Sequence, residues 1–112
     1  MIDVVKAESV DLVRIEAKLE AICPITGTVD HYELALTYIP NNGNYLELLS
    51  FKRFLESFKG VKILHEDLAH RIAREVCKAA LPRKVVIELR SIFMEMKVTI
   101  VKEHGCKDLN SS

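Results

Sequence analysis

Apolar and polar residues alternate along two stretches in the first third of the chain, Leu12–Glu20 and Tyr32–Tyr38. A period of two places the apolar side chains on one face of a strand and the polar side chains on the other. Cys23–Gly27 lies between the two stretches, and its proline and glycine interrupt the pattern. The pattern therefore predicts two half-buried strands that pair antiparallel around a structured connection.

A helical spacing replaces this alternation in the middle of the chain. After a loop at Pro40–Asn44, Ser50 is predicted to cap a helix that Gly60 ends. Pro82 is predicted to end a second helix, whose leucine, isoleucine and valine residues recur every four positions. The apolar residues are Phe51, Phe54, Leu55 and Phe58 in the first helix and Leu64, Leu68, Ile72 and Val76 in the second.

Alternation returns near the C-terminus, where Lys84–Arg90 and Met94–Ile100 predict two more strands. The order ββααββ indicates an α+β fold, with a four-stranded antiparallel sheet and two helices on one face, in a single domain of residues 1–112. We expect residues 104–112 to form a flexible tail. The other face of the sheet carries charged and small side chains, so it faces water or lines a wet barrel built with neighbouring subunits.

Composition says more about the cellular compartment of the protein than about its function. The 112 residues contain 16 Lys+Arg and 16 Asp+Glu, so net charge argues neither for nor against a nucleic-acid partner. We expect neither a secretory signal nor a membrane-spanning stretch. Three cysteines without close spacing fit free thiols in a reducing compartment, without a zinc site. Together these features predict a cytoplasmic protein.

Cys23 and Asp30 are the candidates for covalent chemistry. A cysteine thiolate is a strong nucleophile, and a turn at the end of a strand exposes it. Asp30 opens the following strand, where a carboxylate close to the thiol can carry protons. Each residue taken alone has a commoner structural interpretation, as a half-buried inert thiol and as a turn aspartate.

His65 and Glu66 open the second predicted helix together with Asp67. Acidic residues there stabilise the helix dipole, which is the commoner explanation. A glutamate at this position can also accept hydrogen bonds from the ring N–H and exocyclic amine of a purine-like base, while His65 positions the ligand. Cys77 is predicted to belong to the core, and Cys106 needs no role. Basic residues around the end of the helix indicate RNA contact only weakly.

Three segments together resemble the 7-cyano-7-deazaguanine reductase (QueF-like) family. Cys23–Asp30, with the sequence CPITGTVD, resembles the family signature CP(I/V)TGxxD. Leu64–Asp67 resembles the family's FHED, and Glu47–Phe54 aligns with its E(S/L)KSxKx(Y/F) motif. The likeness runs from Ile22 to Ile72 by motif and over the whole chain by the order of elements.

The resemblance implies the tunnelling fold, in which ββααββ subunits join side by side into a barrel and bind purine-like ligands between subunits. In the family the motif cysteine forms a covalent thioimide with the nitrile, which assigns that role to Cys23. The motif aspartate acts as general acid and base, which assigns proton transfer to Asp30. The other motif positions imply substrate contacts at His65, Glu66, Glu47 and Ser50.

Leu49 departs from the reductase pattern, because the reductases have a lysine at this position of their NADPH-binding motif. A leucine cannot pair with a phosphate, so the chain resembles more closely the archaeal amidinotransferase (archaeosine synthase) branch of the family. In that branch the nitrile is already installed in the D-loop of transfer RNA, ammonia attacks the thioimide, and no NADPH or metal takes part. The resemblance also implies a homo-oligomer of two stacked rings, a decamer.

Two alternatives stay open. The first is an NADPH-dependent nitrile reductase that acts on the free base, for which catalytic oxidation of NADPH would be the evidence. The second is a non-catalytic tunnelling-fold protein that binds a purine or a pterin, in which Cys23→Ala would leave ligand affinity intact.

Overall fold

Six strands in two sheets and two helices make up residues 1–106, the part of the chain that this computed structural model describes. A four-stranded antiparallel sheet has the order β2-β3-β5-β6, and β1 pairs separately with β4. The predicted α+β class and four-stranded sheet are therefore confirmed. The elements are β1 (Val4–Lys6), β2 (Val13–Ile22), β3 (Val29–Ile39), β4 (Asn44–Leu46), α1 (Leu48–Glu56), α2 (His65–Ala80), β5 (Lys84–Phe93) and β6 (Met96–His104).

The four long strands lie where the alternation predicts them, and each continues further along the chain than the predicted stretch. The predicted start of the last strand is wrong by two residues. Met94 and Glu95 have φ angles of 48° and 68° and form the turn between β5 and β6. Two consecutive positive φ angles give a hairpin turn whose twist matches that of its strands, so the turn overrides the apolar character of Met94.

One face of the four-stranded sheet packs on the helices and forms the core. Leu36 of β3 and Ile72 of α2 are both 0% exposed there. The opposite face carries a cross-strand row of Lys18, Glu33 and Arg90, in which the Arg90 guanidinium lies 3.6 Å from the Glu33 carboxylate. This confirms helices on one face and charged residues on the other. Within residues 1–106, the outer edges of β2 and β6 pair with no strand.

α1 begins at Leu48, two residues before the predicted cap. Glu47 is the N-cap, and its carboxylate accepts hydrogen bonds from the backbone N–H groups of Ser50 (2.8 Å) and Leu49 (2.6 Å). These two bonds lower the pKa of Glu47. Ser50 as the helix cap is therefore wrong, because a carboxylate three residues earlier already satisfies the free N–H groups of the first turn.

α2 ends as predicted, immediately before Pro82. Leu81 adopts the left-handed conformation with a φ of 47°, and its N–H donates to the Cys77 carbonyl oxygen at 3.0 Å. The following proline has no N–H to continue the helix, so the chain turns into β5. No helix among residues 1–106 has both the length and the apolar character needed to cross a membrane.

The two short strands β1 and β4 were not predicted, so the observed order of elements is ββββααββ and not ββααββ. Val4 pairs with Leu46, and the Glu47 N–H donates to the Asp3 carbonyl oxygen at 2.8 Å. The Ser50 hydroxyl oxygen accepts a hydrogen bond from the Asp3 N–H at 2.8 Å. The N-terminal segment is thus held against the start of α1.

The end of β6 corrects two expectations, one about the tail and one about the cysteines. His104 pairs with Val85 inside the sheet, and Cys106 is 5% exposed and forms a disulfide with Cys77 of α2. Cys23 alone is a free thiol, so the expectation of three free thiols is wrong and no longer supports a reducing compartment. Cys77 lies in the core as predicted. The rest of the predicted flexible tail, residues 107–112, lies outside the described residues.

Candidate active site

The connection between β2 and β3 is a closed turn that presents Cys23. The Cys23 N–H donates to the Thr28 carbonyl oxygen (2.8 Å), and the Gly27 N–H donates to the Cys23 carbonyl oxygen (2.8 Å). Gly27 has a φ of 75°, a conformation that strains residues with a side chain. The two bonds and the glycine therefore hold the partly exposed thiol at the end of the sheet.

Hydrogen-bond donors of this turn stabilise the thiolate form of Cys23. The Thr26 hydroxyl, the Thr26 N–H and the Ile25 N–H lower the pKa of Cys23 by more than burial and the Asp30 charge raise it. Thr26 Oγ1 accepts from the Thr28 N–H (3.3 Å) and lies 2.7 Å from the Thr28 hydroxyl. Since Thr28 can be the donor in that second contact, the Thr26 hydroxyl hydrogen is free to point to the sulfur.

Asp30 and Tyr32 lie on the same face of β3, because side chains two residues apart in a strand share a face. The Tyr32 hydroxyl donates a hydrogen bond to Asp30 Oδ2 at 3.3 Å. Tyr32 is 2% exposed, whereas Asp30 is partly exposed at the start of the strand. Burial, followed by the charges of Asp30, Cys23 and Glu66, raises the pKa of Tyr32. The four ionisable groups are therefore close enough to influence one another.

The segment before α2 runs alongside the end of β2 and brings the helix start to the same place. The Ile22 N–H donates to the Val61 carbonyl oxygen (2.8 Å), and the Ile63 N–H donates to the Ile22 carbonyl oxygen (3.1 Å). Ile22 precedes Cys23 directly, so the first turn of α2 begins close to the thiol. The ring of His65 lies 6.1 Å from the ring of Tyr32, centroid to centroid.

The imidazole of His65 has an unsatisfied nitrogen. Its Nδ1 atom is buried and has no hydrogen-bond partner among residues 1–106. A buried polar atom without a partner costs free energy, so such an atom in a native site calls for a further group to supply the bond. Glu66, the next residue, is exposed in the first turn of the helix. The predicted pair therefore combines an accessible carboxylate with an imidazole that lacks a partner.

Glu47 and Ser50 do not join this group within one chain. No hydrogen bond described for residues 1–106 links either side chain to Cys23, Asp30 or the start of α2. Glu47 caps α1, and Ser50 is 6% exposed, with its hydroxyl donating to the Glu47 carbonyl oxygen at 3.0 Å. The structure thus brings together four of the six predicted site residues, and a substrate contact for the other two stays a prediction.

A cleft of about 790 Å³ opens on the charged face of the sheet, which is the face opposite to that of Asp30 on β3, and none of Cys23, Asp30, His65 and Glu66 lines it. Val29 and His31, the two neighbours of Asp30 in the sequence, line it together with Lys18, Arg90 and Lys97. The cleft is large enough for a small organic ligand. Among residues 1–106, no cluster of histidine, cysteine and carboxylate side chains has the arrangement of a metal site.

Tyr32 is the residue of this group that the sequence analysis misses. The alternation from Tyr32 to Tyr38 explains a buried tyrosine as core, and the structure confirms that it is buried. The signal that could have identified it is its spacing of two residues from Asp30 on the same strand face.

Replacing Thr26 with valine is expected to raise the pKa of Cys23. Valine keeps the branched shape and removes the hydroxyl that stabilises the thiolate, so the rate of alkylation by iodoacetamide near pH 7 should fall about three- to tenfold. Thr26→Ser keeps the hydroxyl and is the matched control, expected to retain the native profile of rate against pH. An unchanged profile in Thr26→Val would contradict the assignment of the turn.

Comparison with known proteins identifies a family, a relative and a solved structure that this chain is similar to. The model of a family described as QueF-like protein matches residues 29–103. The archaeosine synthase of Pyrobaculum calidifontis is 37% identical over 99 residues, which cover 88% of this chain and 90% of that protein. A crystal structure of the archaeosine synthase QueF-Like in the apo form superposes with a TM-score of 0.84 at 37% identity, covering 88% of this chain and 97% of that chain.

A reductase also matches, over a shorter segment. The NADPH-dependent 7-cyano-7-deazaguanine reductase of Rhodopirellula baltica is 34% identical over 68 residues, which cover 61% of this chain and 55% of that protein. The similarity to the synthases thus extends over nearly the full length of both partners, whereas this reductase has almost half of its length outside the match.

Proposed function

Because the chain belongs to the QueF-like protein family, we propose that it is an archaeosine synthase, a tRNA-modifying amidinotransferase. It converts the nitrile of 7-cyano-7-deazaguanine in the D-loop of transfer RNA into a formamidine, with ammonia as the second substrate. The observation that carries the proposal is the likeness to archaeosine synthases over nearly the whole of both chains. A partly exposed free thiol with a lowered pKa, close to a carboxylate, supports it.

Cys23 is the proposed nucleophile and Asp30 the proposed proton carrier. Asp30 takes the thiol proton as the sulfur adds to the nitrile carbon, and passes that proton to the nitrile nitrogen, which gives a thioimide. Ammonia then adds to the thioimide carbon. Collapse of the tetrahedral adduct breaks the carbon–sulfur bond, and the thiolate leaves and recovers its proton. The sum of the steps is nitrile plus ammonia to formamidine, without any oxidation or reduction.

His65 and Glu66 are the proposed contacts to the deazaguanine. The carboxylate of Glu66 is exposed and can accept two hydrogen bonds from adjacent N–H groups of the base. The buried Nδ1 of His65 supports a ligand role, because no group among residues 1–106 supplies its hydrogen bond. The ring of Tyr32 packs beside the imidazole, 6.1 Å away from centroid to centroid.

Glu47 and Ser50 are proposed to act from a neighbouring subunit. The Glu47 carboxylate uses two acceptor positions on its own helix and has capacity for further donors. Ser50 is buried, so its contribution is to hold Glu47 and the N-terminal segment in place. This arrangement fits a ligand site that is completed between subunits.

No nicotinamide cofactor takes part in the proposed reaction. Leu49, which stands where the reductases have a lysine, is 57% exposed at the start of α1 and offers no charge to a phosphate. The partial match to NADPH-dependent reductases keeps nitrile reduction as the second candidate function. Both candidates share the thioimide of Cys23 and differ in what attacks it, ammonia or a hydride.

We propose a ring-shaped homo-oligomer of two stacked rings, a decamer, in the cytoplasm. Among residues 1–106 no strand pairs with the outer edges of β2 and β6, and side-by-side addition of copies would pair each edge with the next subunit. The charged face of the sheet, with Lys18, Glu33 and Arg90, would then line the wet interior of the barrel. Transfer RNA, a polyanion, is the proposed macromolecular partner.

Intact-protein mass spectrometry with 7-cyano-7-deazaguanine separates the two candidate functions. We expect a mass increase of one nitrile base on the protein, which ammonium discharges as the formamidine. NADPH is expected to leave the adduct in place and to stay unoxidised. Catalytic oxidation of NADPH would instead establish the reductase, and a protein that never forms an adduct would contradict both enzymes.

A further inference from the structure

Tyr32 contacts both halves of the proposed site from one buried position. Its hydroxyl donates to Asp30 Oδ2 at 3.3 Å, and its ring lies 6.1 Å from the ring of His65, tilted by 58°. The side chain is 2% exposed, so packing fixes its rotamer. A single buried side chain thus contacts both the proposed proton carrier and the proposed ligand contact.

The hydroxyl of Tyr32 is a donor that keeps its proton. Burial and the nearby carboxylates raise the pKa of Tyr32, so its hydroxyl stays protonated and acts as a donor. The bond to Asp30 occupies Oδ2 and leaves Oδ1 without a hydrogen bond from the described residues. Oδ1 is therefore the oxygen of Asp30 that is available to a further donor.

Resting on the proposed function, we infer that Tyr32 is a positioning residue: it holds Asp30 by Oδ2 so that Oδ1 exchanges the proton with the Cys23 thiol and then with the nitrile nitrogen. Tyr32 itself forms and breaks no bond in this step. Its effect is to keep the carboxylate in one orientation through both transfers, because a misplaced proton carrier slows each of them.

Removing only the hydroxyl tests this role. Tyr32→Phe keeps the buried ring against His65 and deletes the bond to Asp30. We expect thioimide formation from 7-cyano-7-deazaguanine in single turnover to slow on the order of 10- to 100-fold. The affinity for the nitrile base, measured in a Cys23→Ala background so that no adduct forms, should stay within about twofold because Tyr32→Phe removes no proposed base contact.

Tyr38→Phe is the matched control on the same strand. Tyr38 is 1% exposed, and its hydroxyl accepts the Leu46 N–H at 3.1 Å, near the β1–β4 sheet. Its loss leaves a buried N–H unsatisfied, so this variant should have a lower melting temperature but the native rate of thioimide formation. A structural effect alone would slow both variants in proportion to their loss of stability.

The outcomes separate this inference from the proposed function. Rapid adduct formation in the native protein with an equal rate in Tyr32→Phe would overturn the role of Tyr32 and leave the synthase proposal standing. A Tyr32→Phe variant that loses base affinity as much as rate would also overturn it, because a positioning residue acts on the reaction step. A native protein without any adduct would overturn both proposals.

Discussion

Replacing Cys23 with alanine is expected to abolish the nitrile adduct and to reduce formamidine production on the order of 10⁴-fold or more. Cys23 is the free thiol of the chain, and the donors around it favour the thiolate. No neighbouring side chain can replace it, since carboxylates and imidazole are weaker nucleophiles toward a nitrile carbon. The measurement is intact mass after incubation with 7-cyano-7-deazaguanine, followed by amidination of transfer RNA that carries the nitrile.

Cys23→Ser distinguishes loss of the nucleophile from loss of the turn. Serine keeps the size of the residue and the backbone bonds to Thr28 and Gly27, but its hydroxyl is almost never ionised at neutral pH. We expect the same absence of adduct and of turnover as in Cys23→Ala, with the melting temperature and the size of the assembly unchanged. Substantial formamidine production by either variant would exclude covalent catalysis by Cys23.

The long strands and α2 could be predicted because their signals are local and repeated. The alternation at Leu12–Glu20 and the apolar spacing over four turns of α2 identify the buried face of each element. The three-residue strands β1 and β4 are too short for alternation to be visible, and their pairing joins residues 38 to 42 positions apart. The sequence predicts Ser50 as the N-cap of α1, whereas the structure has Glu47, because serine is the more common N-cap. The glutamate carboxylate reaches the same kind of free backbone N–H groups.

The closeness of the candidate residues could be predicted where the motifs place several of them in one short segment. Cys23, Asp30, His65 and Glu66 belong to two short segments, and the structure brings these segments together through the bonds between Ile22 and the residues before α2. Tyr32 could not be singled out in the same way. Its spacing of two residues from Asp30 is a signal in the sequence, but it shows only a shared strand face. The proposed role depends on which neighbour the hydroxyl reaches, and only the packed fold determines that.

The spacing of the cysteines in the sequence could not predict the Cys77–Cys106 disulfide either, because this pairing also depends on the packed fold. The two residues are separated by 29 positions, and neither belongs to a recognisable pattern of paired cysteines. Their meeting depends on the path of β6, which returns along the sheet until its end lies over α2. Only the packed fold determines that path.

Loss of this disulfide is expected to produce the largest change in stability of any single substitution considered for this chain. A bond across a separation of 29 residues restricts the unfolded chain and stabilises the fold by about 3–4 kcal/mol on the chain-entropy account. For a domain of this size that corresponds to a fall in melting temperature of about 10–20 °C. Cys106→Ala, a change at a residue that is 5% exposed, should show it by calorimetry at fixed protein concentration.

Reduction of the native protein is the control for the Cys106→Ala variant. Dithiothreitol should lower the melting temperature of the native protein to nearly that of Cys106→Ala and leave the variant unchanged, because the variant has no bond to reduce. Denatured but unreduced native protein should show one titratable thiol, Cys23, out of three cysteines. Three thiols would show that the bond is absent. Adduct formation well below both melting temperatures should persist in Cys106→Ala, since Cys77 lies three turns of α2 away from His65.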